Sequence, residues 1–363
     1  MRIGLFIDTE NFGGAESLVL AIASDLRAQH EPVLYHFGNR FLEEACAARN
    51  IECRRLSHRN SYKRIWRTPL FAYPFSRVLR ADRIDVLHSH LSGSIFGGGI
   101  AAWLAGVPHV GTLHDVYVVQ ERPVRARLLD VVHRLGTTLV CVSEKMAEYY
   151  AGVTHVPAAE LRVVRNGVDL ERYAAAARMR VAAGRPRLVM VGRLDPIKRH
   201  DLVLAALASL PSQLPWELEI VGDGPERQAL EALRARLGLD ARVKFLGLRD
   251  DVPALLANAD AFLLVSDSEG MSLSLIEAIA SSLPIIATDV GNNAELVKDG
   301  WNGFVIAPGD REALGRSLHV LLRDETLRRT FGENSRTLSS SALDFRTTLS
   351  RYVELYEAAL RAG

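Results

Sequence analysis

The chain has 363 residues, 48% hydrophobic and 24% charged, with a formal net charge of +1. That is enough apolar material for two cores of ordinary size, and it excludes a disordered or fibrous chain. Net charge gives no bulk argument for a partner, although residues 1–180 carry 23 Lys/Arg against 18 Asp/Glu and the remainder 21 against 25.

The opening "MRIGLFIDTE" reads as a strand (2–8) and lacks the apolar core of a signal peptide. An amphipathic helix over 14–29 and a strand over 32–38 follow. Between Arg54 and Arg83 lie nine basic residues opposed only by Asp82, with Trp66, Phe71, Tyr73 and Phe75 interleaved. The next strand is 84–90. The long uncharged stretch Ile95–Leu113 contains Gly97, Gly98, Gly99 and Pro108, so it reads as a helix, a turn at "AGVP" and a buried strand (107–114), not as a membrane span. Strands at 138–143 and 161–167 complete a first series. An Ala-rich stretch, 173–186, ends in Gly-Arg-Pro and reads as a linker. Strands then recur at 187–194, 216–224, 242–247, 261–266 and 283–289, and an amphipathic helix over 344–362 closes the chain. Strands alternating with helices predict parallel sheets with right-handed crossovers. The expected organisation is α/β: a Rossmann-like domain over 1–172, a linker over 173–186, a second Rossmann-like domain over 187–343, and a last helix, 344–363, packing back on the first domain. Cys46, Cys53 and Cys141 are an odd number without metal spacing, which favours a reducing compartment over a Cys46–Cys53 disulfide.

Open α/β sheets bind ligands beyond the C-terminal ends of their strands. After the first strand, Gly13 and Gly14 precede a helix, where they serve either a simple turn or the close approach of an anion to free N–H groups. In "VGRLDPIK" two cations, Arg193 and Lys198, follow a strand and suit a pyrophosphate. "VGDGPE" places Gly222 in a second turn after a strand, either a tight connection or room for a nucleotide. In "SEGMSLSLIEA" a loop carries Glu269, a helix start falls at Gly270, Met271 and Ser272, and Glu277 lies inside the helix. A carboxylate on each side of an anion cradle matches a nucleotide-sugar: Glu277 for the ribose hydroxyls, Glu269 for the sugar ring, phosphate between them. His88 and His90 fall on one face of a strand, and hydrogen-bonded histidines are expected there before metal ligands.

Taken together, "GGAE" (13–16), "TLHD" (112–115), "VCVSE" (140–144), "VRNGVD" (164–169), "VGRLDPIK" (191–198), "VGDGPE" (221–226), "FLG" (245–247) and the Glu-x7-Glu pattern (269–277) resemble the family-4 glycosyltransferases, retaining enzymes of the GT-B fold. The resemblance covers nearly the whole chain. It implies two doubly wound Rossmann-like domains facing across a cleft. It further implies that Gly14 approaches the donor phosphates, that His114 lies against the donor sugar, that Arg193 and Lys198 bind the diphosphate, that Glu269 contacts sugar hydroxyls and Glu277 the ribose, and that Asn166 shapes a loop at the cleft. The sequence departs from the family at Arg199, where Gly is frequent, at Ser281-Ser282 and at "GNN" (291–293).

The expected reaction is retaining transfer of a sugar from a nucleotide-diphosphate sugar to a saccharide or lipid-linked acceptor. No cofactor and no metal are expected, since no Asp-x-Asp pattern sits at a strand end. The alternatives are a nucleotide-sugar 2-epimerase or a sugar phosphorylase of the same fold, or a non-catalytic nucleotide-sugar-binding protein. A cytoplasmic protein is expected, and the basic, aromatic stretch 54–83 fits an anionic membrane surface, so peripheral attachment at the inner face of the membrane is the hypothesis for this stretch. Nothing in the site pattern calls for nucleic acid.

Overall fold

Strands buried on both faces read as unbroken apolar runs, because a parallel sheet is covered by helices on each side. β1 (Arg2–Ile7), β2 (Glu31–His36) and β5 (His109–Leu113) are such runs, and all lie inside the first sheet. The computed structural model describes residues 1–9, 13–62, 67–116, 119–120, 123–177 and 184–362. They form two units, Met1–Asn166 with Thr347–Gly363, and Gly167–Arg346.

In the first unit, β3 (Glu52–Arg55), β4 (Val86–His90), β6 (Thr137–Cys141) and β7 (Arg162–Val163) join these strands in the order β3-β2-β1-β4-β5-β6-β7, all parallel. The second unit has β8 (Arg187–Val191), β9 (Glu217–Val221), β10 (Val243–Gly247), β11 (Ala261–Leu264), β12 (Ile285–Thr288) and β13 (Gly303–Ile306), in the order β10-β9-β8-β11-β12-β13, again all parallel. Each sheet reverses its strand order once, between β1 and β4 and between β8 and β11. The crevice beyond the strand ends at such a reversal is where doubly wound sheets bind ligands.

β3 and β13 escape the sequence reading. β3 is an edge strand of the sequence Glu-Cys-Arg-Arg, mostly exposed, and β13 is a four-residue edge strand. A sheet edge needs neither alternation nor an apolar run. The linker expectation is corrected in part. Residues Leu170–Ala177 are a helix of the second unit that packs against the helices Val252–Ala257 and Leu273–Ala280. Its anchor is Tyr173, which is 4% exposed. Residues 178–183 lie outside the described residues. The three cysteines are free thiols, with Cys46 and Cys53 in hydrogen-bond contact.

Gly98 and Gly99 have a packing reason. The helix Ser92–Ala105 lies so close to the sheet that a Cβ at Gly98 would fall 2.2 Å from Ser89 Oγ, and one at Gly99 would fall 2.9 Å from Thr137 Oγ1. The final helix, Phe345–Ala362, buries Tyr352 and Tyr356 completely in the first unit. The Tyr356 hydroxyl meets His88 Nδ1 at 2.7 Å, and Thr348 donates to the Arg165 carbonyl at 2.8 Å.

Two glycine substitutions should move stability in opposite directions. Gly152, inside the helix Glu144–Val153, has open space where a Cβ would go, so Gly152→Ala should stabilise by about 0.5–1 kcal/mol. Gly98→Ala gains the same propensity but forces Ser89 to move, for a net loss of about 1–2 kcal/mol. Urea midpoints of the two variants check the pair; equal shifts would remove the packing argument.

Candidate active site

Lys198 and Glu269 meet at the reversal in the second sheet. Lys198 ends a 3-10 turn, Pro196–Lys198, that follows β8, and Glu269 lies on the loop that follows β11. Lys198 Nζ sits 2.6 Å from Glu269 Oε1, which also accepts from Ser266 Oγ at 2.7 Å. Glu269 is 9% exposed. A carboxylate at that depth requires partners, and these two supply them.

The two loops are tied by the backbone as well. Asp267 N–H donates to the Ile197 carbonyl at 2.8 Å, and Arg199 Nη1 bonds the Asp267 carboxylate at 3.1 Å. Thr288, at the end of β12, clasps the loop start, accepting from Ser266 N–H at 3.0 Å and donating to its carbonyl at 2.7 Å. Arg199 has φ +47°, the left-handed region that disfavours every residue with a Cβ. That is why glycine suits this position, and the Asp267 and Asp201 contacts hold arginine there instead.

Further along, Ser272 caps the helix Leu273–Ala280 by accepting from Leu275 N–H. Gly270 and Met271 lie under the "GNN" turn: Asn292 N–H donates to the Gly270 carbonyl at 3.1 Å, and a Cβ at Gly291 would fall 2.2 Å from the Glu269 carbonyl oxygen. The departure at 291–293 therefore packs on the Glu269 loop, and its Asn292 amide faces the Glu295 carboxylate. Glu277 is half-buried one turn into the helix. Burial raises its carboxyl to about 6, against an opposing hydrogen bond from Tyr173. A folded-state value above the ordinary carboxylate range means that its contribution to stability is present in acid and lost as pH rises through about 6. At neutral pH the protein holds this charge at a cost.

Arg193 and Lys198, the two cations expected at a pyrophosphate, each hold a carboxylate in this structure: Arg193 bonds Asp195 and Lys198 bonds Glu269. Gly222 has a reason internal to the fold. Its φ is +134°, and a Cβ there would fall 1.9 Å from the Gly192 carbonyl oxygen, because the turns after β8 and β9 pass backbone against backbone.

In the first unit, Gly14 opens the helix Gly14–Leu26, where Glu16 accepts from Gly13 N–H at 2.7 Å. His114 follows β5 and is half-buried, with Nε2 at 3.0 Å from His90 Nδ1. Burial lowers its pKa to about 4, so the ring is neutral near pH 7. Asn166, at 3% exposure, is the last residue of the first segment of this unit. His88 and His90 are fully buried. His88 is bonded on both nitrogens, to Tyr356 and Thr112 at 2.7 Å each. Among the basic residues, Arg54 pairs with Asp82 and Glu52, and Arg59 with Asp8. Phe71 and Phe75 are not surface aromatics: they stack into the core with Phe6, because the helix Thr68–Ala81 turns that side inward. Lys63, Arg64 and Trp66 lie outside the described residues.

Residues 12–172 match the sequence family Glycosyltransferase Family 4, and residues 176–338 match Glycosyl transferases group 1. The D-inositol 3-phosphate glycosyltransferase of Salinispora arenicola is 31% identical over 332 residues, covering 78% of this chain and 72% of that one. The chain belongs to glycosyltransferase family 4. The glycosyltransferase is also 28% identical, over 77% of each chain, to the UDP-Gal:alpha-D-GlcNAc-diphosphoundecaprenol alpha-1,3-galactosyltransferase of Escherichia coli. Its fold is GT-B. The structure of Anabaena HepE, solved with UDP-glucose, superposes with a TM-score of 0.86 at 23% identity, covering 99% of this chain and 100% of that one. The epimerase, phosphorylase and non-catalytic binding readings are not favoured.

Sequence reasoning missed Ser266, Asp267 and Tyr173 as supports of the glycosyltransferase's charged groups. "SDSE" carried a signal, since polar residues crowd a strand end there. Tyr173 carried none, because its partner is 104 positions away. The Arg199 strut yields a test. Arg199→Ala keeps the left-handed strain and loses both carboxylate contacts, whereas Arg199→Gly loses only the contacts. Arg199→Ala should therefore melt lower, by about 1 kcal/mol relative to Arg199→Gly, as read by thermal denaturation.

Proposed function

We propose that this glycosyltransferase moves a sugar, with retention of anomeric configuration, from a nucleotide-diphosphate sugar to a saccharide acceptor carried on a lipid. The observation that carries the reading is the Lys198–Glu269 contact at 2.6 Å, at the one reversal in the second sheet. In this reading the bond from the sugar's anomeric carbon to the diphosphate oxygen breaks and its electron pair passes to the diphosphate, while an acceptor hydroxyl oxygen bonds that carbon and gives its proton to the departing diphosphate. Lys198 and Arg193 offset the developing charge, together with the N–H groups at the helix start beside Gly270, Met271 and Ser272. Glu269 accepts from sugar hydroxyls and Glu277 from the ribose. Gly14, His114 and Asn166 are the first unit's candidate contacts, and Gly222 shapes the turn after β9. Charge compensation by fixed cations supports a reaction without a divalent ion, and activity that survives exhaustive chelation is the expected result.

Lys198→Ala and Glu277→Ala should each raise the donor KM or lower kcat/KM by roughly 10–100-fold, in line with removal of a charged hydrogen bond. Both should abolish the thermal stabilisation expected of the wild type with its nucleotide-sugar donor. Glu277 must be ionised to accept two hydroxyls, so donor KM should climb as pH falls through about 6, and Glu277→Gln should flatten that limb. Wild-type kinetics in all three variants would reject the assignment.

The lipid-linked acceptor rests on the named substrate of the Escherichia coli relative and on one surface of the first unit. On the helix Thr68–Ala81, Leu70, Tyr73 and Arg77 face outward, Leu70 being 61% and Tyr73 59% exposed. Arg80 bonds the carbonyls of Leu104 and Ala105, next to the exposed Trp103. Apolar and aromatic tips among arginines fit the headgroup layer of an anionic membrane, which supports action at the cytoplasmic face. Among the described residues no helix is long and apolar enough to cross a membrane. Co-sedimentation should require vesicles with anionic lipid and should weaken several-fold in Tyr73→Ser with Arg77→Ser; binding that ignores lipid charge would count against this surface.

A further inference from the structure

His90 ends β4 with no exposed surface, and its two ring nitrogens have different fates. Nδ1 lies 3.0 Å from His114 Nε2, while Nε2 is buried without a hydrogen-bond partner among the described residues. The neighbouring His88 ring, 4.0 Å away centroid to centroid, cannot serve Nε2, because Tyr356 and Thr112 already take both of its nitrogens. Burial and the adjacent histidines keep His90 from charging, and burial does the same for His114. Two neutral arrangements remain. If His114 Nε2–H donates, the His90 proton sits on Nε2, a buried N–H with no acceptor. If His90 Nδ1–H donates, the orphan is a bare acceptor nitrogen. Orphaned buried N–H groups are the rarer of the two, so the second arrangement is preferred. His114 then accepts at Nε2 and carries its own proton on Nδ1, which has no hydrogen-bond partner among the described residues.

We propose that His90 is a positioning residue that holds His114 as the Nδ1–H tautomer, so that His114 presents a hydrogen-bond donor and its counterpart is an acceptor oxygen of the bound donor sugar. The proposal rests on the reading of His114 as a sugar-facing residue, but the tautomer itself does not.

Long-range 1H–15N correlation spectra of histidine-labelled enzyme test it, with the His114 signals assigned by their loss in His114→Gln. Neutral His114 protonated on Nδ1 is expected across the neutral pH range; an Nε2–H tautomer or an imidazolium at pH 7 would overturn the proposal in the wild type alone. His90→Phe removes the donor, so His114 should lose its tautomer preference and kcat should fall on the order of tenfold or more, with a smaller change in donor KM. His90→Asn brings an amide N–H close to the lost Nδ1–H, and should recover most of both losses. If His90→Phe and His90→Asn behave alike, the role is packing and the proposal fails. A wild type that transfers no sugar while showing the Nδ1–H tautomer would refute the function and with it the sugar counterpart, and would leave the hold of His90 on the His114 tautomer standing.

Discussion

One ion pair at a strand-order reversal ties together the two turns of the second unit that carry its candidate site. Lys198 and Glu269 belong to turns 71 residues apart in sequence, and each would be costly where it stands without the other. Their meeting requires the loops after β8 and β11 to lie in register, and the surrounding details secure that register. Asp267 bonds the turn backbone, Arg199 braces it from a strained conformation, and Thr288 pins the loop start. The glycines at 222 and 291 let neighbouring turns pass backbone against backbone.

The first unit is organised around a polar seam inside an otherwise apolar sheet. Ser89 and His109, His109 and Thr137, His88 and Thr112, and His90 and His114 are bonded pairs that run across β4, β5 and β6. Buried polar groups need partners, and the unit recruits them from far along the chain, with Tyr352 and Tyr356 of the final helix closing one end. The glycines of the helix Ser92–Ala105 leave room for the other end. The seam emerges at His114, so a half-exposed ring is held by a fully buried one.

Both units thus hold polar or charged groups where packing alone would favour apolar ones. Such inconsistency marks the places where stability is exchanged for function. Glu277 is the plainest case: its carboxyl is raised to about 6 and partnered by one tyrosine, which leaves it able to accept further hydrogen bonds.

The residue pattern by itself determined the alternation of strands and helices, the parallel sheets, and the family, because those depend on local periodicity and on glycines and charges at fixed distances from strand ends. It also determined that Lys198, Glu269, Glu277 and His114 would follow strands, since turns after parallel strands open toward one edge. Short edge strands such as β3 and β13 were not legible, because an exposed edge imposes no apolar pattern. Nor could sequence decide which partner each charged or polar group would take. That Lys198 meets Glu269 and not the same anion as Arg193, that Phe71 and Phe75 turn inward from a basic stretch, that Tyr173 leaves an apparent linker to reach Glu277, and that His90 supports His114 are all contacts between distant segments. They depend on helix facing and sheet order, which appear only when the whole chain is packed.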